Sequence, residues 1–103
     1  MNISFYKNAM IFLQIGSNIG DRYSNLLTCI KNIESLIGKI INKSKIYVSE
    51  CWGVKNQRDY FNMVVALKSI YDPTKVLKII SIIENDMGRI RKKKWGSRTI
   101  DID

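Results

Sequence analysis

Ala-Met-Ile-Phe-Leu-Gln-Ile, residues 9–15, is a short apolar run that ends at the polar turn Gly16-Ser17-Asn18. A short apolar run bounded by such a turn is typical of a buried strand. After the turn, apolar residues recur at helical spacing from Asp21 to Ile37, and Gly38 follows as a common helix terminator. The sequence therefore predicts a strand, a tight turn and an amphipathic helix.

Two further strands are predicted in the middle of the chain. Lys39 to Tyr47 has Ile40, Ile46 and Tyr47 among polar residues, which indicates a second strand. Ser49 to Arg58 is polar and contains a glycine, so we interpret it as a loop. Tyr60 to Ile70 contains Met-Val-Val-Ala-Leu and is predicted to form a third strand.

The last third of the chain predicts a second helix and a fourth strand. Asp72-Pro73 provides a capping residue followed by proline, and Gly88 ends the apolar periodicity. Gly88 to Ser97 is a basic loop, and Thr99 to Asp103 begins a strand. The order β-α-β-β-α-β is that of an α+β, ferredoxin-like antiparallel sheet with helices packed on it. We expect residues 1–103 to form a single domain whose last strand is cut short.

Composition limits the classes of function. The chain has 103 residues and a net charge of +8, which favours an anionic partner: nucleic acid, acidic lipid or the phosphates of a small molecule. There is no histidine, and Cys29 and Cys51 lie far apart, which argues against a zinc site or a histidine-based triad. Without a membrane-length apolar run or a signal core, we expect a cytoplasmic protein with reduced thiols.

Asp101 and Asp103 are the first candidate site. Residues two apart on a strand share a face, so both carboxylates would project to the same side, about 6 to 7 Å apart at their Cα atoms. Magnesium favours such oxygen ligands and leaves its other positions to phosphates and water. The alternative interpretation is a solvated strand face near a chain end.

The basic loop that precedes these aspartates is the second candidate site. Its cations are Arg89, Arg91, Lys92, Lys93, Lys94 and Arg98. Arginine pairs with phosphate in a bidentate fork, and phosphoryl transfer requires cations and metal ions. Trp95 either stacks on a base or anchors the loop. Taken alone, the loop also fits a solvated turn or a nucleic-acid-binding patch.

Two other motifs have open interpretations. Gly16 to Arg22 resembles a phosphate-binding turn, but it lacks the GxGxxG spacing and the P-loop ending, which favours a tight turn with a helix cap. Tyr60 and Asn62 are two apart on a predicted strand and share a face. They are suited to stacking on and hydrogen-bonding to a flat heterocycle, or they are an edge tyrosine and a strand-capping asparagine.

Taken together, the motifs resemble one family. Gly-Ser-Asn-Ile-Gly-Asp-Arg, Tyr47 with Ser49 to Gly53, Asp59-Tyr60-Phe61-Asn62, Glu84 with Gly88-Arg-Ile-Arg, and Trp95 to Asp103 occur in the order and near the spacing of 6-hydroxymethyl-7,8-dihydropterin pyrophosphokinases. The resemblance covers nearly all of residues 10–103. It implies transfer of pyrophosphate from ATP to the hydroxymethyl oxygen of the pterin in folate biosynthesis, with release of AMP.

The resemblance also implies roles for individual residues. Asp101 and Asp103 would hold two Mg²⁺ ions. The residues implied on the ATP side are Glu84, Arg89, Arg91, Trp95 and Arg98, of which Arg91 and Arg98 join the aspartates as catalytic residues. The residues implied on the pterin side are Ser49, Cys51, Trp52, Tyr60 and Asn62. The implied partners are therefore ATP and the pterin, with no nucleic acid and no membrane, and we expect a monomer.

The chain departs from the family in two ways. Ser97 stands where the family usually has proline, and Glu50 and Cys51 stand where many members have prolines. The family also continues for some fifty residues, so we expect a C-terminally truncated chain in which Asp103 is frayed. The alternatives are an inactive truncated remnant and a ferredoxin-like nucleic-acid-binding module, which should carry aromatic residues on adjacent central strands.

Overall fold

Within residues 9–50, 57–88 and 98–103, which the computed structural model describes, five strands form one antiparallel sheet and two helices pack on it. The elements are β1 (Ala9–Ser17), α1 (Arg22–Leu36), β2 (Lys39–Lys43), β3 (Tyr47–Ser49), β4 (Tyr60–Ser69), α2 (Pro73–Asp86) and β5 (Asp101–Ile102). The sheet order is β2-β4-β1-β5, and β3 pairs with the other half of β4. The predicted α+β fold class is confirmed.

Both helices begin at the aspartates that the sequence singles out. Asp21 accepts a hydrogen bond from the Ser24 amide at 3.0 Å, and Asp72 accepts one from the Lys75 amide at 2.9 Å. Each bond satisfies an amide of the first turn that has no partner within the helix. The predicted helices are confirmed, and neither of these described helices is long and apolar enough to cross a membrane.

The second predicted strand is not continuous, which corrects the prediction of one strand from Lys39 to Tyr47. The ladder between β2 and β4 shifts register between Ile40 and Asn42. At Ser44, the side-chain hydroxyl accepts the Val64 amide at 2.8 Å, and the Ser44 amide donates to the Val64 carbonyl at 2.8 Å. A side chain thus replaces one backbone acceptor, and regular pairing resumes only at Tyr47.

The hydrophobic core fills the space between the helices and one face of the sheet. The fully buried members from the sheet and the helices include Ile15, Leu26, Ile33, Val65, Leu67 and Ile83. On β1, Leu13 and Ile15 are buried in this core, and the residues that alternate with them face away from the helices. Phe12 on that opposite face is 67% exposed. Because alternate residues project to opposite faces, the fold leaves a second sheet face on which a site can form.

Candidate active site

Three residues on neighbouring strands form a row across the open face of the sheet. Gly16 on β1 pairs with Asn62 on β4 and with Asp101 on β5. Directly opposed residues project to the same face, and the adjacent Ile15 pairs with core residues on both sides. The Asn62–Gly16–Asp101 row therefore places an amide and a carboxylate on one surface, separated only by a glycine.

The amide side of the row brings three predicted site residues together. The Asn62 Nδ2 group donates to Ser49 Oγ at 2.8 Å and to the Tyr47 carbonyl at 3.4 Å. Asn62 is only 5% exposed, so these bonds fix the orientation of its carboxamide. Tyr60 lies beside it, since a Cβ on Gly16 would be 3.3 Å from Tyr60 Cδ1. An oriented amide next to an aromatic ring is suited to bind a flat polar heterocycle.

Gly16 leaves room for Asn62. A Cβ at this position would lie 2.8 Å from Asn62 Oδ1, too close for an unmoved neighbour. We expect Gly16→Ala to displace the carboxamide, weaken its bond to Ser49 and lower the affinity for a flat polar heterocycle about tenfold, the equivalent of one hydrogen bond. Calorimetric titration with 6-hydroxymethylpterin, the heterocycle that the sequence resemblance implies, measures this effect. An unchanged affinity, or an equal loss in affinity for a nucleotide, would contradict the role given to Gly16.

The carboxylate side of the row is held by regular pairing up to Asp103. The Asp103 amide donates to the Gln14 carbonyl at 2.8 Å, and the Gln14 amide donates to the Asp103 carbonyl at 2.9 Å. The expectation that Asp103 is frayed is therefore wrong, because both of its backbone groups are paired. Asp103 directly follows β5, and the period of the strand predicts that its side chain projects to the same face as that of Asp101.

Glu84 supports the same strand from the helix side. It is 6% exposed on α2, and its Oε2 atom accepts the Ile102 amide at 3.0 Å. This bond fixes the peptide group that joins Asp101 to Ile102. The negative charge of Glu84 also acts on Cys29. Burial, and to a smaller extent this charge, raise the pKa of the Cys29 thiol to about 12, so the thiol stays protonated. The role of Glu84 on the ATP side remains a prediction.

Removing the Glu84 carboxylate should loosen β5. In Glu84→Leu the buried Ile102 amide loses its acceptor, which costs about 1–3 kcal/mol in the free energy of unfolding. Glu84→Gln keeps an acceptor oxygen and should lose less. Urea unfolding of both variants measures the difference, with Glu34→Leu on the exposed side of α1 as the control. Equal losses for leucine and glutamine at position 84 would show that the bond to Ile102 does not stabilise the strand.

Asn18, the residue that follows β1, holds the backbone of Arg98 in place. The side-chain Oδ1 atom of Asn18 accepts a hydrogen bond from the Arg98 backbone amide at 2.8 Å. The backbone amide of Asn18 donates to the Arg98 carbonyl at 3.1 Å. These bonds fix the backbone where the chain enters β5. The predicted site residues Cys51, Trp52, Arg89, Arg91 and Trp95 lie outside the described residues.

The Gly16–Arg22 turn is held by its own polar side chains. Asn25 Nδ2 donates to Ser17 Oγ at 3.1 Å and to the Ile19 carbonyl at 2.9 Å. Gly20 has φ +67°, a conformation that glycine adopts without strain. With the cap at Asp21, the segment is a tight turn that starts a helix, the interpretation that its sequence favours.

Two polar residues that the sequence does not single out form hydrogen bonds to segments of the candidate site. Asn18 lies within the Gly16–Arg22 motif, but its bonds to the distant Arg58 and Arg98 backbone leave no local signal in the sequence. Gln14 interrupts the apolar run of β1, and its Nε2 group donates to the Tyr47 hydroxyl at 2.8 Å. A polar residue in an otherwise apolar strand was the one signal available for Gln14.

These features define a class of protein: a ferredoxin-like α+β domain with an oriented amide and a carboxylate on one sheet face. Residues 12–103 match the sequence profile described as 7,8-dihydro-6-hydroxymethylpterin-pyrophosphokinase. The chain belongs to this family, whose activity is the ATP-dependent transfer of pyrophosphate to the pterin. The resemblance stated from the motifs is confirmed.

Individual relatives agree with the family match. The proteins named 2-amino-4-hydroxy-6-hydroxymethyldihydropteridine pyrophosphokinase from Porphyromonas gingivalis, Aquifex aeolicus and Bacillus subtilis are 37%, 39% and 34% identical to the chain. The matches cover 92%, 92% and 93% of this chain. They cover 67%, 59% and 58% of those relatives, so the chain spans about three fifths to two thirds of their length.

Proposed function

We propose that this chain transfers pyrophosphate from ATP to the hydroxymethyl group of 6-hydroxymethyl-7,8-dihydropterin and releases AMP. The single observation that carries the proposal is the Asn62–Gly16–Asp101 row. It spans two inter-strand spacings, about 10 Å, which is the scale of a bicyclic heterocycle with its side chain. An acceptor lying over Gly16 would meet Asn62 at one end and the carboxylates at the other.

On the acceptor side, each described residue has a distinct task. Ser49 fixes the carboxamide of Asn62, whose oxygen is then directed toward the surface above Gly16. That oxygen accepts a hydrogen bond from an N–H group of the ring, and Tyr60 stacks on the ring face. Cys51 and Trp52 complete the acceptor side in this proposal.

The donor set at Asp101 and Asp103 fits magnesium. Mg²⁺ is usually held by one or two carboxylates together with waters and substrate phosphates. No cluster of three or more metal-binding side chains occurs within the described segments, and a magnesium site of this kind does not need one. We propose that the pair binds two ions. When bound, magnesium supplies positive charge that offsets the charge on the phosphate oxygens.

The reaction requires positioning more than a protein nucleophile. The acceptor hydroxyl oxygen forms a bond to the β-phosphorus, the bond from that phosphorus to the AMP oxygen breaks, and the hydroxyl proton passes to solvent. Phosphoryl-type transfers depend mainly on alignment and on stabilisation of charge. Arg91 and Arg98 supply positive charge to the phosphates, and Glu84, Arg89 and Trp95 complete the ATP side.

The remaining parts of the proposal concern the whole protein. Residues 1–103 act as a single pterin pyrophosphokinase domain, a monomer located in the cytoplasm. Its partners are ATP and the pterin, and the reaction belongs to folate biosynthesis. The net charge of +8 favours anionic substrates such as ATP.

Product analysis tests this proposal directly. The chain is incubated with ATP, magnesium and 6-hydroxymethyl-7,8-dihydropterin, and the products are followed by ³¹P NMR and nucleotide chromatography. We expect AMP and pterin diphosphate in equal amounts. Formation of ADP would indicate transfer of a single phosphoryl group, and no product at all would identify the chain as an inactive form of the enzyme. Either result contradicts the proposal.

A further inference from the structure

Asn18 connects two segments that are far apart in sequence. Asn18 follows β1, and only 1% of its surface is exposed. Both polar atoms of its side chain form hydrogen bonds. Its Oδ1 accepts the Arg98 amide at 2.8 Å, and its Nδ2 donates to the Arg58 carbonyl at 3.1 Å. The two partners are 40 residues after Asn18 and 80 residues after it. One buried carboxamide thus joins three separate parts of the chain.

The two segments that Asn18 joins lead into opposite sides of the site. Arg58 stands two residues before Tyr60 and four before Asn62, on the acceptor side. Arg98 stands three residues before Asp101, on the carboxylate side. Both bonds are to backbone atoms, so they fix the position of the backbone at Arg58 and Arg98 and not that of a mobile side chain.

The acceptor segment has further ties to the same turn. Arg58 Nη1 donates to the Gly20 carbonyl at 2.9 Å, and Arg22 Nη1 donates to the Asp59 carbonyl at 2.9 Å. The Arg22 guanidinium also lies 3.8 Å from the centre of the Phe61 ring. The turn is therefore fixed to the acceptor segment, and the Asn18 carboxamide extends that fixed body to Arg98.

We infer that Asn18 is a positioning residue that sets the distance between the pterin-binding side chains and the carboxylates. This inference rests on the proposed function. Asn18 contacts neither substrate in this account; it aligns the two halves of the site so that acceptor oxygen and β-phosphorus meet. A misplacement of about 1 Å between reacting groups can lower a rate on the order of a hundredfold while each group still binds.

The inference predicts a separation between turnover and binding. We expect Asn18→Asp and Asn18→Ala to lower kcat about 30- to 100-fold, the scale of a misalignment of about 1 Å. We expect the Kd of 6-hydroxymethylpterin and the Kd of a non-hydrolysable ATP analogue, each measured alone, to change less than about threefold. Asn18→Asp keeps the acceptor for Arg98 but sets a carboxylate oxygen against the Arg58 carbonyl, so it breaks the link at one end only.

Asn25→Ala is the matched control, because within the described residues Asn25 bonds to the same turn and to neither joined segment. It should lower the melting temperature without the loss in kcat. Asn18→Asp keeps the experiment decisive if Asn18→Ala does not fold. A wild-type kcat in Asn18→Asp, a similar kcat loss in Asn25→Ala, or Kd changes that match the loss in kcat would each overturn the inference. If the wild-type chain forms no product, the proposed function fails first, and this inference fails with it.

Discussion

Asp101→Asn should lower the rate of AMP formation by about 10²- to 10³-fold, the scale of removing one preorganised electrostatic contact to a developing charge. The substitution keeps the size of the side chain but removes the negative charge that magnesium requires. Asp101 pairs with Gly16 in the sheet through its backbone, so the fold should persist. Steady-state kinetics with magnesium varied at fixed ATP measures the effect.

Asp86→Asn is the control for charge. It removes one negative charge from an exposed position at the end of α2 and so raises the net charge by the same single unit. We expect unchanged kinetics in this variant. Equal rate losses in both variants would indicate that net charge matters and that Asp101 has no specific role.

Gly38→Ala should lower the free energy of unfolding by about 3 kcal/mol, at the upper end of the usual cost of overpacking. A Cβ on Gly38 would lie 1.9 Å from the Lys68 carbonyl oxygen and 2.9 Å from its carbon. Both are backbone atoms of β4, which cannot move without disturbing the sheet. For a domain of this size the melting temperature should fall by roughly 10–20 °C, as measured by thermal unfolding.

Gly88→Ala separates this clash from a general glycine effect. Gly88 has φ +86°, and a Cβ added there would meet no heavy atom of the described residues within 4 Å. Its replacement should cost only the backbone strain, about 1–2 kcal/mol. A loss at Gly88 as large as that at Gly38 would contradict the explanation by close approach to β4.

The elements that the sequence predicts well are those with local signals. Asp21 and Asp72 cap the helices, and Gly38 and Gly88 follow their ends, so helix bounds could be placed closely. The shared face of Tyr60 and Asn62 follows from the period of a strand. These features depend on residues within a few positions of each other, which is why one sequence is enough to infer them.

The features that the sequence does not predict depend on register and distant contacts. The break at Ser44 requires knowing that its hydroxyl faces the Val64 amide. The bond from the Ile102 amide to Glu84 and the position of Gly16 between Asn62 and Asp101 require the pairing of strands that are far apart in the chain. Periodicity within a segment carries no information on such pairings.

Magnesium-dependent nucleotide binding tests the central claim most directly. The measurement is calorimetric titration of the chain with a non-hydrolysable ATP analogue, with and without magnesium, repeated on the Asp101→Asn, Asp103→Asn double variant. We expect magnesium to strengthen binding to the wild-type chain at least tenfold, about 1.4 kcal/mol, and to leave the affinity of the double variant unchanged. Equal affinity with and without magnesium in the wild-type chain, or a full magnesium effect in the double variant, would contradict the account.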